Sequence, residues 1–298
     1  MRPVLRPGLQ VLRRDLHTVQ LGLDWPGLML LPDSPALQAV LAAADGVRTA
    51  SQVLAHAVDV RLDVSQPDAT RALDRLIACG ALVDQAATSR NGVDEQAWAF
   101  LWLLTAPHDD PHALVRQRRR TLVATLGRGR VAEALRTSLA STDLPMSGPD
   151  DADLVVIASD SEPDRALADI AIRRSVPHLW VWIRELVGVV GPFVEPGRTP
   201  CLRCVDHLVT DQDPGWPALV DAAAVRPLVA PACDPVLAAL VAAFATHESV
   251  VWATGLAPQT LGRMLEIPYG CGDLALASYP VHPRCGCSWP DLHDTMGA

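Results

Sequence analysis

Two closely spaced cysteine pairs constrain this chain more than any other feature: Thr199-Pro200-Cys201-Leu202-Arg203-Cys204 and, far downstream, Pro283-Arg284-Cys285-Gly286-Cys287. A Cys-x-x-Cys turn presents two thiolates at the separation a tetrahedral metal needs, and a second pair completes four sulfur ligands. Read together, Cys201, Cys204, Cys285 and Cys287 are a structural zinc site, with every ligand position taken by sulfur and none left open for catalysis. Two local disulfides would need an oxidising compartment, yet the chain starts MRPVLRPGLQ without the apolar segment of a secretory signal, so the thiols are expected to stay reduced. A thioredoxin-like redox pair would leave Cys285 and Cys287 without a role. The metal would join residues about 80 positions apart and contribute about 10 kcal/mol to folding.

A chain of 298 residues holds two modest domains, and its net charge of −9 argues against a nucleic-acid partner, whose phosphates require clustered positive charge. Every basic residue other than histidine is Arg; there is no Lys. That excludes a Schiff-base lysine, a P-loop lysine and any lysine that would neutralise nucleotide phosphates. The longest apolar stretch, Val236 to Ala245, is about half a membrane span. The expectation is a soluble, cytoplasmic protein with no membrane partner.

Residues 9 to 32 read as strands: Val19, Leu21 and Leu23 alternate with polar or small residues, and Leu28 to Leu31 form an apolar run after Pro26-Gly27. Three short helices follow. Ser34 and Pro35 open the first, whose apolar face is Leu37, Val40, Leu41 and Ala44. Thr49 caps the second, which carries Val53, Leu54 and Ala57. The third starts near Pro67, aligns Ala69, Ala72, Leu73, Leu76 and Ile77, and stops at Gly80. Strands then helices within about 85 residues suggest a small winged-helix domain. Its third helix offers Arg71 and Arg75 but also Asp68 and Asp74, which cancel them, so DNA reading is not expected.

This order, with RPGLQVLRRDLHTVQLGLD leading to a closing GALVD, resembles the PqqD-like recognition element of ribosomally made peptide pathways. The resemblance implies that a leader peptide binds as an added strand between the third strand and the third helix. There, backbone hydrogen bonds supply affinity and side-chain pockets supply specificity. The lining residues would be Met29 and Leu31 on one side and Arg71, Arg75 and Ala78 on the other. Residues 1–86 would form this domain and 87–118 a connector, in which Gln96 to Thr105 is one apolar helix whose Trp98 and Trp102 are expected to pack between domains.

Residues 119–298 change to a strand, glycine turn, helix pattern. Leu122 to Leu126 is a strand, Gly127-Arg128-Gly129 the turn and Val131 to Leu139 the helix, a degenerate form of the dinucleotide fingerprint. Asp153-Leu-Val-Val-Ile-Ala-Ser-Asp160 is a buried parallel strand with an acid at its end, followed by a helix through Arg165, Ile170 and Arg173. Val176 to Ile183 and Val187 to Val194 are further strands. The whole reads as a Rossmann-like α/β sheet. The nearly all-apolar helix from Pro235 to Trp252 is expected to be buried, and the eleven residues after Cys287 to fray.

DLVVIASDSEPDR, GPFVEPGRTPCLRC and HPRCGC together resemble the ThiF/MoeB superfamily of ubiquitin-activating-like adenylating enzymes. More narrowly, they resemble the bacteriocin-type (TOMM) cyclodehydratase branch that fuses a recognition element to this fold. The resemblance implies an ATP site in which Gly127 and Gly129 form the phosphate turn, Asp160 matches the magnesium acid and Arg165 the arginine after it. The rest of that site is missing. Only Ala140 to Ala152 separate the first helix from the next strand, there is no Lys, and the single Asn, Asn91, lies in the connector. Triphosphate charge would fall to Arg128 and Arg130 alone. The expectation is a pseudo-enzyme without ATP and without catalytic residues, in which Asp160 is a helix cap or turn acid. Cys233 and Cys271 stand as nucleophiles beside His247 or His282 or as inert buried thiols, the latter being the expectation; Cys79 is core. His282 either hydrogen-bonds within the zinc turn or substitutes as a ligand.

The functional expectation is a zinc-stabilised, homodimeric scaffold that captures the leader of a ribosomal peptide. By resemblance, it presents that peptide to an ATP-using YcaO-type enzyme that forms azoline rings. Two alternatives stand beside it: an adenylyltransferase acting on a peptide or carrier C-terminus, and a transcription or stress-response adaptor.

Overall fold

The structure is a computed structural model that describes residues 1–23, 29–106, 109–225, 231–270 and 272–287. Leu28, Pro26-Gly27, Cys271 and the final eleven residues, each read from the sequence above, lie outside the described residues, as does the side chain of Ile170. The chain divides into two compact units, Met1–Leu114 and Val115–Ala298.

The first unit opens with β1 (Pro3–Leu5), β2 (Val11–Arg13), β3 (Thr18–Leu21) and β4 (Met29–Pro32). Helices α1 (Pro35–Ala43), α2 (Ala50–Val60) and α3 (Gln66–Ala78), then β5 (Leu82–Asp84) and α4 (Glu95–Leu104), follow. Strands β2, β3 and β4 form an antiparallel sheet in that order, while β1 pairs with β5. Local chemistry sets the helix starts. The Ser34 hydroxyl accepts Leu37 N–H at 3.1 Å, and Thr49 and Gln52 form a reciprocal capping box. Ser65 accepts Asp68 N–H and starts α3 at Gln66, one residue before the Pro67 to which the sequence pattern pointed. Val19 and Leu21 are buried as alternation requires, but Leu23 is 67% exposed. The strand ends at Leu21 because Gly22 turns the chain at φ +79°.

Helix α4, read from the sequence as part of the connector, belongs to the first unit. Trp98 and Trp102 are buried there, edge to face at 6.0 Å, and the Trp98 indole donates to the Thr88 carbonyl. Arg6 lies over the Trp102 ring and donates to the carbonyls of Trp102 and Thr105, closing the helix C-terminus with a cation.

The division between units falls within α5 (Pro111–Arg120). The second unit comprises β6 (Val123–Leu126), α6 (Arg130–Ala140), β7 (Leu154–Ser159), α7 (Ala166–Arg173), β8 (His178–Arg184) and β9 (Val187–Val194). After them come α8 (Leu202–Thr210), α9 (Trp216–Val225), α10 (Pro235–Ala253), β10 (Arg263–Pro268) and β11 (Ala275–Ser278). The six strands run in the order β11-β10-β9-β8-β7-β6, giving a mixed α/β sheet whose β6, β7 and β8 are parallel and whose remaining neighbours are antiparallel. Strand side chains alternate between two cores. Val156, Leu179, Val181 and Phe193 pack on α6 and α10, while Val155, Trp180, Trp182 and Val189 pack on α7 and α8.

Helix α10 departs from the sequence reading. Its apolar composition does not translate into burial all round: Leu237, Ala238, Val241, Ala242 and Ala245 face the sheet, but Val236 is 72% and Leu240 42% exposed. With Ala239, Ala243 and His247 they form one exposed stripe at helical spacing. The helix is long and apolar enough to cross a membrane and is half buried within the protein.

Candidate functional site

Three places bring the candidate residues together. The first is the sulfur cluster. Cys201 ends the loop after β9 and begins α8, which places Cys204 one turn along; Cys285 and Cys287 arrive on the turn after β11. All four Sγ atoms lie within 4.8 Å of one another, with Cys201–Cys204 at 4.0 Å, Cys201–Cys285 at 3.5 Å and Cys204–Cys287 at 3.3 Å. A tetrahedron with zinc–sulfur bonds of about 2.3 Å has edges of about 3.8 Å, so one such ion fits between them. There is no disulfide among the described residues. His282 is not a fifth ligand. Its Nε2 lies 3.0 Å from Asp211 Oδ2 and its Nδ1 accepts the Arg284 N–H at 3.2 Å, so both ring nitrogens are engaged. Arg284 reaches the same Asp211, and His207 stacks on the His282 ring at 4.9 Å. Asp211 and Arg284 carried no sequence signal because the chain separates them by 73 residues.

The second place is the glycine turn between β6 and α6. Gly127 and Gly129 have φ of +114° and +97°, and neither position has room for a side chain: a Cβ on Gly127 would lie 1.9 Å from the Ala158 carbonyl oxygen, and one on Gly129 2.3 Å from Asp160 Oδ2. The Asp160 carboxylate accepts the backbone N–H groups of Arg130 and Val131, each at 2.9 Å. These are first-turn donors of α6, the groups that would meet a phosphate at a helix N-terminus. An internal carboxylate takes them instead. Cys233 lies in the same place; burial, and then the Asp160 charge, push its thiol up to about 11, which keeps it protonated and a poor nucleophile.

Arg165 is also spent internally. It donates to both carboxylate oxygens of Asp206 at 2.9 and 3.0 Å and to the Pro163 carbonyl at 2.8 Å, and pairs with Glu162 at 2.7 Å. Burial lowers the guanidinium pKa, but these partners outweigh it and leave the pKa above its usual value. Glu162 binds Arg184 as well, and the Trp216 indole donates to Asp206. Beside this network, at the carboxyl ends of β7 and β8, is a cavity of about 310 Å³ lined by Asp160, Ile183, Arg184, Trp216, Leu219 and Val220, among others. Arg128 and Arg130 are exposed at the turn.

The third place is the free edge of β4. The Asp33 N–H donates to the His17 carbonyl at 2.7 Å, and the register pairs Leu31 with Val19 and Met29 with Leu21. Antiparallel hydrogen-bonded pairs alternate, so Leu30 points its N–H and C=O, and Pro32 its C=O, away from β3. No second strand pairs with this edge among the described residues. Between β4 and α3 is a cavity of about 270 Å³ whose wall includes Leu31, Pro32, Ala36, Arg71, Ala72 and Arg75. Met29 lines the next cavity along, of about 210 Å³, with Leu21, Cys79 and Gly80. Ala78 is exposed on the last turn of α3, and Arg71 pairs with Asp68.

No family model and no curated protein matches the chain. Among solved structures, the heterocyclase TruD is similar at 21% identity and a TM-score of 0.70, covering 96% of this chain and 42% of its own. A heterocyclase in complex with substrate and cofactor gives 18% identity and 0.70, with 96% and 39% covered. The microcin C7 biosynthetic enzyme MccB in complex with N-formylated MccA gives 12% and 0.65, covering 97% of this chain and all of its own (100%). The chain thus spans about two-fifths of the heterocyclases and the full length of MccB, and what it shares with all three is the fold.

Proposed function

We propose that this chain is a non-catalytic scaffold that binds the leader of a ribosomally made peptide and presents it to a YcaO-type, ATP-dependent azoline-forming enzyme. The observation that carries the proposal is the edge of β4 that no second strand pairs among the described residues, beside the α3 cavity, the arrangement an added strand requires. In this reading residues 1–86 are a winged-helix-like recognition domain of the PqqD type, 87–118 connect, and 119–298 are a Rossmann-like ThiF-type domain held by structural zinc. Likeness in fold to the heterocyclases, one in complex with substrate and cofactor, and to MccB in complex with N-formylated MccA supports this reading.

The non-catalytic half of the proposal rests on the glycine turn. An ATP phosphate and the Asp160 carboxylate would compete for the same two N–H groups, and Arg165 is held by two carboxylates. No Lys is present to favour the phosphate. The scaffold would be cytoplasmic and homodimeric, with the exposed stripe of α10 meeting a second copy.

The test is binding of the full chain to synthetic leader segments of short Cys/Ser/Thr-rich peptides encoded beside its gene, measured by fluorescence anisotropy for wild type and Leu30→Pro. Proline removes the outward N–H of an edge strand while leaving the β3–β4 bonds intact. Binding that Leu30→Pro weakens at least tenfold supports the reading; binding indifferent to it, or no binding, rejects it.

A further inference from the structure

We infer that the segment received by β4 carries an acidic side chain, and that Arg75 is the residue that selects it. The inference rests on the strand-addition reading above and adds to it the chemistry of the ligand. Four charged side chains line the cavity between β4 and α3: Asp63, Asp68, Arg71 and Arg75. Three are already matched. Asp63 accepts two hydrogen bonds from Arg61, each at 3.0 Å, and Asp68 and Arg71 pair with each other one turn apart on α3. The Ser65 hydroxyl also donates to Asp68, holding its carboxyl below the usual range and fixing it as the anion that Arg71 faces.

Arg75 is different. It is one turn beyond Arg71 on the same side of α3, and its guanidinium has no hydrogen-bond or ion-pair partner among the described residues. The wall therefore carries one uncompensated positive charge. It belongs to a planar, five-donor group suited to a carboxylate, beside a strand edge that offers one N–H and two C=O groups. The other lining is mainly apolar: Leu31, Ala36, Leu37 and Ala72 beside Ser34 in this cavity, and Leu21 and Met29 in the next, whose cation, Arg6, is held by the Trp102 and Thr105 carbonyls. An added strand presents alternate residues to the groove about 7 Å apart, so the ligand pattern is an Asp or Glu opposite Arg75 with an apolar residue two positions away.

The test needs no knowledge of the natural peptide. A displayed library of random 12-residue peptides is selected on the full chain as wild type, Arg75→Glu and Arg75→Lys, each checked for unchanged circular dichroism. Arg75 is exposed, so none of these changes disturbs the core. Wild type and Arg75→Lys should enrich Asp or Glu at one fixed position beside an apolar residue, and Arg75→Glu should enrich Lys or Arg there. Replacing that acid by its amide in a selected peptide should weaken binding to wild type about three- to tenfold and leave binding to Arg75→Glu unweakened. Peptides enriched without a charge preference, or with the same preference on Arg75→Glu, overturn the role of Arg75 and leave the strand reading standing. A library from which nothing is enriched on any of the three proteins overturns both.

Discussion

Asp160 Oδ1 accepts the Val131 backbone N–H at 2.9 Å, and Oδ2 the neighbouring Arg130 N–H, so the turn that opens α6 is capped by an acid arriving from the end of β7. Gly129, the residue in the N-cap position, has no side chain with which to cap the helix. Asp160 supplies that oxygen from 29 residues away, and its charge suits the positive end of the helix.

Removing this cap should be read in stability rather than in nucleotide affinity. Asp160→Ala should cost about 1 kcal/mol, seen as a fall in Tm of about 2–4 °C. Asp160→Asn, which keeps an acceptor oxygen, should lose less. Calorimetric titration of wild type with magnesium-ATP should show no heat of binding. Tight binding that Asp160→Ala abolishes would instead make Asp160 a metal-ion ligand.

The sulfur cluster predicts one zinc per chain by metal analysis of purified protein, lost in Cys201→Ser and in Cys287→Ser. A chelator should lower the Tm of wild type and leave the apo variants unmoved. Because His282 is held by Asp211 and its own turn by Arg284, Asp211→Ala should keep the metal but weaken its retention about tenfold or more in chelator competition. Protein purified without metal, its four thiols free, would remove the site.

His178 is fully buried at the start of β8, with Nδ1 near the Val176 carbonyl at 3.1 Å and Nε2 without a partner among the described residues. Burial holds its pKa at about 4, against about 6.5 in an open chain. The unfolded chain therefore binds the proton first as pH falls. Stability is full above pH 6.5 and is lost progressively as pH drops from 6.5 toward 4, by about 3 kcal/mol at most. Urea unfolding of wild type and His178→Leu across this range should show a shallower pH slope in the variant; parallel slopes would mean that His178 is reached by protons in the folded state.

The stripe formed by Val236 and Leu240 predicts self-association. Sedimentation velocity should find wild type as a dimer, and Val236→Asp with Leu240→Asp as a monomer of unchanged circular dichroism. Exposed positions on a helix tolerate such changes within about 0.5 kcal/mol each. A monomeric wild type would leave the stripe without a second copy to meet.

Much of the local structure was legible in the residues. Ser34 and Thr49 cap the helices expected of them, and Val19, Leu21, Leu37, Val53 and Leu73 are buried where periodicity placed them. The two cysteine pairs converge on one point. Each of these depends on spacing within a turn or a strand, or on a ligand type with few alternatives, and such information is carried by neighbours in the chain.

What the sequence by itself determined is the three helices α1 to α3 after their strands, the α/β alternation from β6 to β9 and four sulfurs of a kind that converge on a metal, whereas α5, β10 and β11 were not legible in it. Only the tertiary structure decided how the charges are spent: Asp160 on α6, Arg165 on Asp206 41 residues away, His282 on Asp211, and Arg75 on no partner among the described residues. It also decided that α10, apolar over most of its length, keeps one side exposed. The reason is physical. Helix and strand patterns follow from short-range sterics and burial periodicity, whereas the partner of a charge or of an apolar stripe is set by which distant segments the sheet brings within a few ångströms, and one sequence does not number those distances.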